Sequence, residues 1–356
     1  MTVAPLEAVV EIQPRARVDV LDARALASAA YGDAFEGYAR CLYVSPHTTA
    51  GYFPQNLARR LTARGAALER YLGLFRAMFP EGAGYQHDKL ELRTELPPAQ
   101  RDVEPTNGDS HLAFMASGLE ACVSYEMQQP GPVFFVDLDG LNGATPRRRI
   151  STLVGYNDEV EVVRTTIEIP VSPHPIEAVN LRDARFGLAS RLAELIDTHG
   201  VTKGRVRLEL APAERNASLT VNEYETLLMQ HDLADVLRNP LRFAAEKARH
   251  AWHDPRAVPV KAVEYAKYDL VRAANRLMDT LGLSASRLER LLARAVEVPA
   301  SRLLRRKRAV NLLVSDVKTP GRGAVVEGTF QAPILVQWRP TLEGRRTVDV
   351  VLSRFL

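Results

Sequence analysis

Cysteine is nearly absent: the 356 residues hold two, Cys41 and Cys122, and neither has a partner at CxxC spacing. A disulfide framework and a cysteine zinc site are therefore not expected. No stretch reaches the roughly 18 uninterrupted apolar residues of a membrane-spanning helix. The first residues, MTVAPLEAVVEI, lack the basic segment and apolar core of a secretory leader, so the cytoplasm is the expected compartment. There is no P-loop, no GxGxxG after a strand, no GxSxG and no HExxH. These absences argue against P-loop nucleotide hydrolysis, dinucleotide redox chemistry and serine-type hydrolysis. Long-range disorder is disfavoured too, because a hydrophobic fraction of 46% and a charged fraction of 25% are ordinary globular values.

What is present suffices for two cores, since single domains are commonly about 100–200 residues long. The net charge of +3 hides an asymmetry: residues 1–170 carry −6 and residues 171–356 carry +9. Such an imbalance fits an anionic partner or two oppositely charged domains facing each other. The second is favoured because no lysine-rich tail accompanies the charge.

The pattern along the chain repeats once. Val9–Val20 reads as a strand region interrupted by Pro14, Leu21–Tyr31 as a helix, and Gly37–Val44 as a strand. Leu57–Met78 has helical spacing weakened at Gly65. Pro80–Ser110 is polar and rich in Gly and Pro, a loop rather than core. A short helix over Leu112–Gly118 follows, then strands over Ala121–Met127, Val133–Leu138, Arg149–Val154 and Val160–Ile169. From Val171 the order restarts. A helix over Leu181–Thr198 is capped by Gly200, and a strand over Arg205–Leu210 follows. Helices are expected over Leu227–His250, Tyr265–Leu281 and Ala285–Val296, and closing strands over Ala324–Gln331, Ile334–Trp338 and Thr347–Leu352. A period this long means a duplicated domain, not a solenoid.

Four segments occur in order in the first half: SPHTTAGYFPQN (Ser45–Asn56), GYQHD (Gly84–Asp88), NGDSH (Asn107–His111) and RRRISTL (Arg147–Leu153). Together they resemble the YjbQ-like family, also called the secondary thiamine-phosphate synthase family. The second half resembles the same family through NASLTVNE (Asn216–Glu223) and EGTFQAPILVQW (Glu327–Trp338), with Gly344-Arg345-Arg346 near its close. Glu214 stands where that family's histidine would be, and His253-Asp254 echoes the Tyr-x-His loop less clearly. The departures are complementary: the first half keeps three histidines but has Gln55-Asn56 in place of Asn-Glu, and the second keeps Asn222-Glu223 and Gly328–Gln331. The resemblance implies an α+β fold of two tandem diverged domains, 1–158 and 159–356, each a mainly antiparallel sheet with a few packed helices. It also implies a homo-oligomer, a trimer of duplicated chains, with composite sites and thiamine-phosphate synthase-type transfer. Glu223 would join the catalytic group, and Asn107, Asn222 and Gln331 would meet the substrate.

The chemistry centres on His47, His87 and His111. Three imidazoles in one pocket suit a divalent metal such as Zn, Mn or Fe, with one position open. Without metal they could act as general acids and bases. Singly, each could be a turn residue making one hydrogen bond. Asp88 and Asp109 beside them could orient an imidazole or cap a helix. Arg147 and Arg149 carry guanidinium forks that match phosphate oxygens, and strand alternation lets at most two of Arg147-Arg148-Arg149 face one pocket. Thr48 and Thr49 could donate hydroxyls to a phosphate or hold the turn. The run Arg302–Arg308 invites a nucleic-acid reading, but it has no interleaved aromatics, and basic residues suit a helix C-terminus. The expected partner is thus a phosphorylated small molecule, not a membrane or a nucleic acid. The alternatives are a metal- or small-ligand-binding protein without turnover and a nucleic-acid-associated module.

Overall fold

The computed structural model describes residues 3–63, 66–93, 96–101, 103–238, 243, 246 and 307–356. The chain divides into two compact units. Unit one comprises Met1–Gln55, Leu119–Tyr224 and Arg306–Leu356, and unit two comprises Asn56–Gly118 and Glu225–Arg305. The units therefore cut across the boundary at residue 158: both halves of the chain contribute to each. The helices expected over Tyr265–Leu281 and Ala285–Val296 lie outside the described residues, as do His253-Asp254 and Arg302–Arg306.

The first half opens with β1 (Leu6–Ile12), β2 (Asp19–Asp22), α1 (Ala23–Tyr31), β3 (Arg40–Val44) and β4 (Ala50–Tyr52). The chain then enters α2 (Gln55–Thr62), α3 (Ala67–Met78), α4 (Pro98–Arg101) and α5 (Gly108–Ser117). It returns through β5 (Cys122–Glu126), β6 (Phe134–Asp137), the small hairpin β7 (Leu141–Asn142) and β8 (Thr145–Pro146), and β9 (Arg149–Tyr156). The second half runs β10 (Glu159–Pro170), β11 (Glu177–Asn180), α6 (Leu188–His199), β12 (Gly204–Leu210), β13 (Ala217–Glu223) and α7 (Leu233–Arg238). It closes with β14 (Ala309–Ser315), β15 (Ala324–Val326), β16 (Gln331–Gln337) and β17 (Arg345–Phe355).

Unit one is built from antiparallel sheets, as expected of an α+β chain. In the first half the order β1-β9-β3-β5 forms one sheet and β2-β6-β4 another. In the second half β10-β17-β12-β14-β15 and β11-β16-β13 use the same order, with β15 added at one edge. A helix follows the second strand of each half: α1, N-capped by Asp22, and α6, ended by Gly200 in the left-handed conformation. The alternation in GRVRLEL places Val206, Leu208 and Leu210 inward. They join Leu192 and Ile196 of α6 and Val348, Val350 and Leu352 of β17 in one apolar cluster. A second cluster joins the large sheets of the two halves: Leu42, Val44, Cys122 and Val154 meet Leu313 and Phe355. There the Tyr156 and Phe355 rings stack at 4.0 Å.

Unit two is helical. Tyr71 and Phe75 of α3 stack edge to face, and the Tyr71 hydroxyl donates to the Ser117 carbonyl at the end of α5. Two expectations are corrected here. The segment 80–110 is only partly a surface loop: Ala83, Tyr85 and His87 are fully buried, and acceptors elsewhere in the unit take the His87 ring and the Gln86 and His87 N–H groups. The helix expected at Leu112 begins at Gly108, where Asp88 Oδ1 accepts from the Gly108 N–H at 3.0 Å and satisfies an orphan donor of the first turn. Of the helix expected over Leu227–His250, the described part is a π-helical turn over Leu228–Asp232 that runs into α7.

Leu208 is wholly buried in the apolar cluster. Leu208→Ala is expected to cost unit one about 2–5 kcal/mol, read as a lowered urea midpoint. A midpoint unchanged within error would place Leu208 outside the cooperative core.

Candidate functional site

Ser45–Thr49 forms a tight turn between β3 and β4. Ser45 Oγ donates to the Ala50 carbonyl at 2.6 Å and accepts from the His47 N–H at 3.3 Å, closing the turn on itself. The second half of the chain then clamps it. Gln331 Nε2 donates to the carbonyls of Ser45 (2.8 Å) and His47 (3.0 Å), and Asn222 Nδ2 donates to the Thr48 carbonyl at 3.1 Å. Gly328 passes so close that an added Cβ would sit 1.8 Å from the Pro46 carbonyl oxygen. Asn222 and Gln331, expected to meet substrate, instead spend their amide nitrogens on this backbone. Glu223 ends β13, where its N–H donates to Asn222 Oδ1.

Held in this way, His47 Nε2 accepts from the Ile150 N–H at 3.0 Å. The neutral ring therefore carries its proton on Nδ1. Burial, reinforced by the nearby Arg149 and Arg147 charges, pushes the imidazolium down to about 3, so the ring stays neutral at physiological pH.

The arginines lie as strand alternation requires. Arg148 faces solvent and pairs with Glu11. Arg149 is buried and grips Asp137 with two bonds, Nε to Oδ2 at 2.7 Å and Nη2 to Oδ1 at 3.0 Å. Its Nη2 also donates to the Asp139 carbonyl and, at 3.4 Å, to Thr49 Oγ1. No hydrogen bond uses its Nη1 among the described residues. Arg147 Nη2 stands 3.2 Å from Asp139 Oδ2 without hydrogen-bond geometry, and both Nε and Nη2 are buried and unsatisfied. Arg17 approaches the same carboxylate at 3.9 Å. Arg17, Arg147 and Arg149 thus gather around Asp137 and Asp139, next to the turn that carries His47 and Thr49.

The second half contains a counterpart that is closed. Glu214 Oε1 accepts from the Thr347 N–H at 2.7 Å, as His47 accepts from the residue after Arg149. Its Oε2 takes Arg346 Nη1 at 2.8 Å. The Arg346 guanidinium is used up by that carboxylate, by Gln337 Oε1 and by the carbonyls of Arg215 and Arg339. Glu214 occupies the histidine's role and neutralises the arginine at once.

The other predicted histidines lie in unit two. His87 is fully buried, with Nδ1 3.1 Å from Glu225 Oε2 and Nε2 3.1 Å from Asn107 Oδ1. The N–H groups of Gln86 and His87 donate to the two oxygens of Asp232, and the His111 ring lies edge-on at 5.0 Å from His87. Burial alone would raise the Glu225 carboxyl. Hydrogen bonds from His87 and from the Leu227 and Leu228 N–H groups hold it below the usual range. Glu225 gave no signal in the sequence, since its link to His87 spans 138 positions.

A metal does not suit these residues as arranged. Both His87 nitrogens are engaged, His47 Nε2 accepts from the backbone, and among the described residues no three His, Cys, Asp or Glu side chains are placed to hold an ion. The described part of the basic run is also committed. Lys307 donates to the Leu119 carbonyl and approaches Glu120, while Arg308 ties the carbonyls of Leu210, Ala211 and Glu214. No described helix is long and apolar enough to cross a membrane.

No protein-family model matches the sequence, and no curated protein matches it. The chain is similar to solved structures of the YjbQ/UPF0047 family over about half its length. One is a YbjQ-like protein of unknown function from Sulfolobus solfataricus P2, 14% identical, with a TM-score of 0.28, covering 55% of this chain and 99% of that one. A second is an uncharacterized conserved protein of the YjbQ/UPF0047 family from Clostridium acetobutylicum, 13% identical, with a TM-score of 0.26, covering 54% and 99%. A third is a hypothetical protein from Aeropyrum pernix K1, 13% identical, with a TM-score of 0.27, covering 54% and 98%.

The depressed His47 value fixes a pH dependence. The unfolded chain takes up a proton near 6.5 that the folded chain refuses until about 3, so this contribution is intact above 6.5 and is lost as pH falls through that window. His47→Gln should flatten the loss of unfolding free energy between pH 6.5 and 4, measured by urea titration against wild type. An unchanged slope would mean that His47 titrates normally. Separately, Gln331→Ala leaves the Ser45 and His47 carbonyls unbonded and should cost about 1–3 kcal/mol in the same assay.

Proposed function

We propose that unit one binds a phosphorylated small molecule on the surface formed by His47, Thr48, Thr49, Arg147 and Arg149. The observation that carries this reading is the unused hydrogen-bonding capacity of Arg147. Arg147 keeps two buried nitrogens without hydrogen bonds. Buried donors normally find partners, and a phosphate or pyrophosphate oxygen would supply them. His47 can add a donor from Nδ1 without carrying charge itself. The second half supports the reading by contrast: its arginine, Arg346, is taken by Glu214 as Arg149 is by Asp137, but two residues earlier it has Gly344 where the first half has Arg147. We read the shared strand order of the two halves as a diverged duplication in which one site stayed open and the other closed.

The activity that best fits is transfer of the thiamine-phosphate synthase type, joining a pyrimidine methyl pyrophosphate to a thiazole phosphate with release of pyrophosphate. The thiazole ring nitrogen attacks with its own lone pair, so no proton has to be abstracted before the new bond forms. The chain's task is to neutralise charge on the departing pyrophosphate, a task this reading gives to Arg147, with Arg149 as the anchor that holds the strand. A histidine that stays neutral is no obstacle to such a reaction. Binding without turnover is the second reading. A homo-oligomer, a trimer of duplicated chains, is proposed with either, and sedimentation of the whole chain tests it.

The test is pyrophosphate binding by calorimetry, with the pyrimidine and thiazole substrates then supplied together. Arg147→Gln should fold normally and bind pyrophosphate at least tenfold more weakly, about 1.4 kcal/mol. Arg149 is the wrong choice for this experiment, since removing it strands buried Asp137 and should cost about 3–5 kcal/mol of stability. Pyrophosphate binding that Arg147→Gln leaves intact would overturn the site. Binding that Arg147→Gln abolishes, with no product formed by wild type, would favour binding without turnover.

A further inference from the structure

A second site lies in unit one, under α1. A cavity of about 260 Å³ opens there, lined by Arg24, Ser28, Phe35, Glu36, Tyr43 and Met127 among others. Its distinctive wall is Arg24. The guanidinium gives Nη1 to the Gln129 carbonyl at 3.2 Å and Nη2 to Met127 Sδ at 3.7 Å, a weak acceptor. Its Nε is buried with no partner.

No carboxylate pairs with Arg24 among the described residues. Asp22, two positions away, spends Oδ1 on the N–H groups of Arg24, Ala25 and Val133. Glu36 lines the cavity but is exposed, and it makes no bond to the guanidinium. A half-buried guanidinium without a counterion is costly, and a natural remedy is an anion from outside.

The walls define which anion. A planar fork with Nε unbonded matches a carboxylate edge-on. Phe35 and Met127 offer an apolar surface to the rest of the molecule, Ser28 adds a hydroxyl, and the buried Tyr43 hydroxyl is engaged with Arg24 and Cys41. Glu36 and the presence of a single cation disfavour a multiply charged phosphate. The volume is near the lower limit of about 300 Å³ for ligand pockets, so the occupant is small. We propose that this cavity binds a small aryl or alkyl monocarboxylate, its carboxylate on Arg24 and its apolar body against Phe35 and Met127.

The probe is 4-fluorobenzoate, followed by ¹⁹F NMR with the full chain. Wild type is expected to give saturable binding, and Arg24→Met to weaken it at least tenfold. Should Arg24→Met fail to fold, Ser28→Phe fills the cavity from the exposed face of α1 and keeps the guanidinium, and it should abolish the same signal. Arg148→Met, an exposed arginine elsewhere, should bind as wild type does. Inorganic phosphate in tenfold excess should leave the probe bound. Absence of saturable binding, retention in whichever cavity variant folds, or displacement by phosphate would each overturn the proposal. Displacement would place the probe at the arginines beside His47 instead.

Discussion

The buried pair between Arg149 and Asp137 is the interaction on which unit one depends. It joins β9 of the large sheet to β6 of the small one by two short hydrogen bonds in a place nearly closed to water. Neither charge can be left alone there, because an isolated buried ion costs far more than the pair. The same guanidinium reaches the Asp139 carbonyl and Thr49, so the strand carrying the arginines, the loop after β6 and the histidine turn are fixed by one group. Arg147 inherits its position from this anchor: it is held next to a carboxylate that Arg17 also approaches, and part of its hydrogen-bonding capacity is left over.

The second constraint is the clamp from the other half of the chain. Gln331 and Asn222 use amide nitrogens to tie three of the four turn carbonyls from Ser45 to Thr48, passing over only Pro46. Gly328 is required because the backbone passes where a Cβ would collide with Pro46. A turn clamped in this way presents Nδ1 of His47 in one orientation. The equivalent arrangement around Arg346 meets the same electrostatic demand internally, with Glu214 as the built-in anion. One framework thus closes the equivalent arginine with a carboxylate in both halves, from Asp137 on β6 in the first and from Glu214 at the histidine's position in the second.

Unit two is organised around a different polar centre. His87 is enclosed between Glu225 and Asn107, and the peptide N–H groups of Gln86 and His87 are taken by Asp232. These bonds explain how the polar residues around His87 can be buried, since His87, Asn107 and the Gln86 and His87 N–H groups all meet partners. Gly108 lets the start of α5 approach Tyr85 and His87, where a Cβ would lie 2.9 Å from the Tyr85 side chain.

Sequence by itself determined many of the local elements. Alternation in GRVRLEL, the Gly200 cap, the turn Ser45–Thr49 and the opposed facing of Arg148 and Arg149 all follow from short-range sterics and periodicity, which act over a few residues. The antiparallel α+β class was legible for the same reason, while the contact between His87 and Asn107 across 20 positions was not. Only tertiary structure decided the rest. It set the amide nitrogens of Asn222 and Gln331 on the histidine turn, brought Glu225 to His87, buried Ala83, Tyr85 and His87 within the 80–110 segment, and placed His47 in one unit with His87 and His111 in the other. Each of these rests on a contact across 100 residues or more, or on a balance of buried charge that spacing along the chain does not encode. Which carboxylate neutralises which arginine is settled by the dry interior, where every ion must find its counterion, and Arg147 and Arg24 stand out there because the chain itself supplies them with too little.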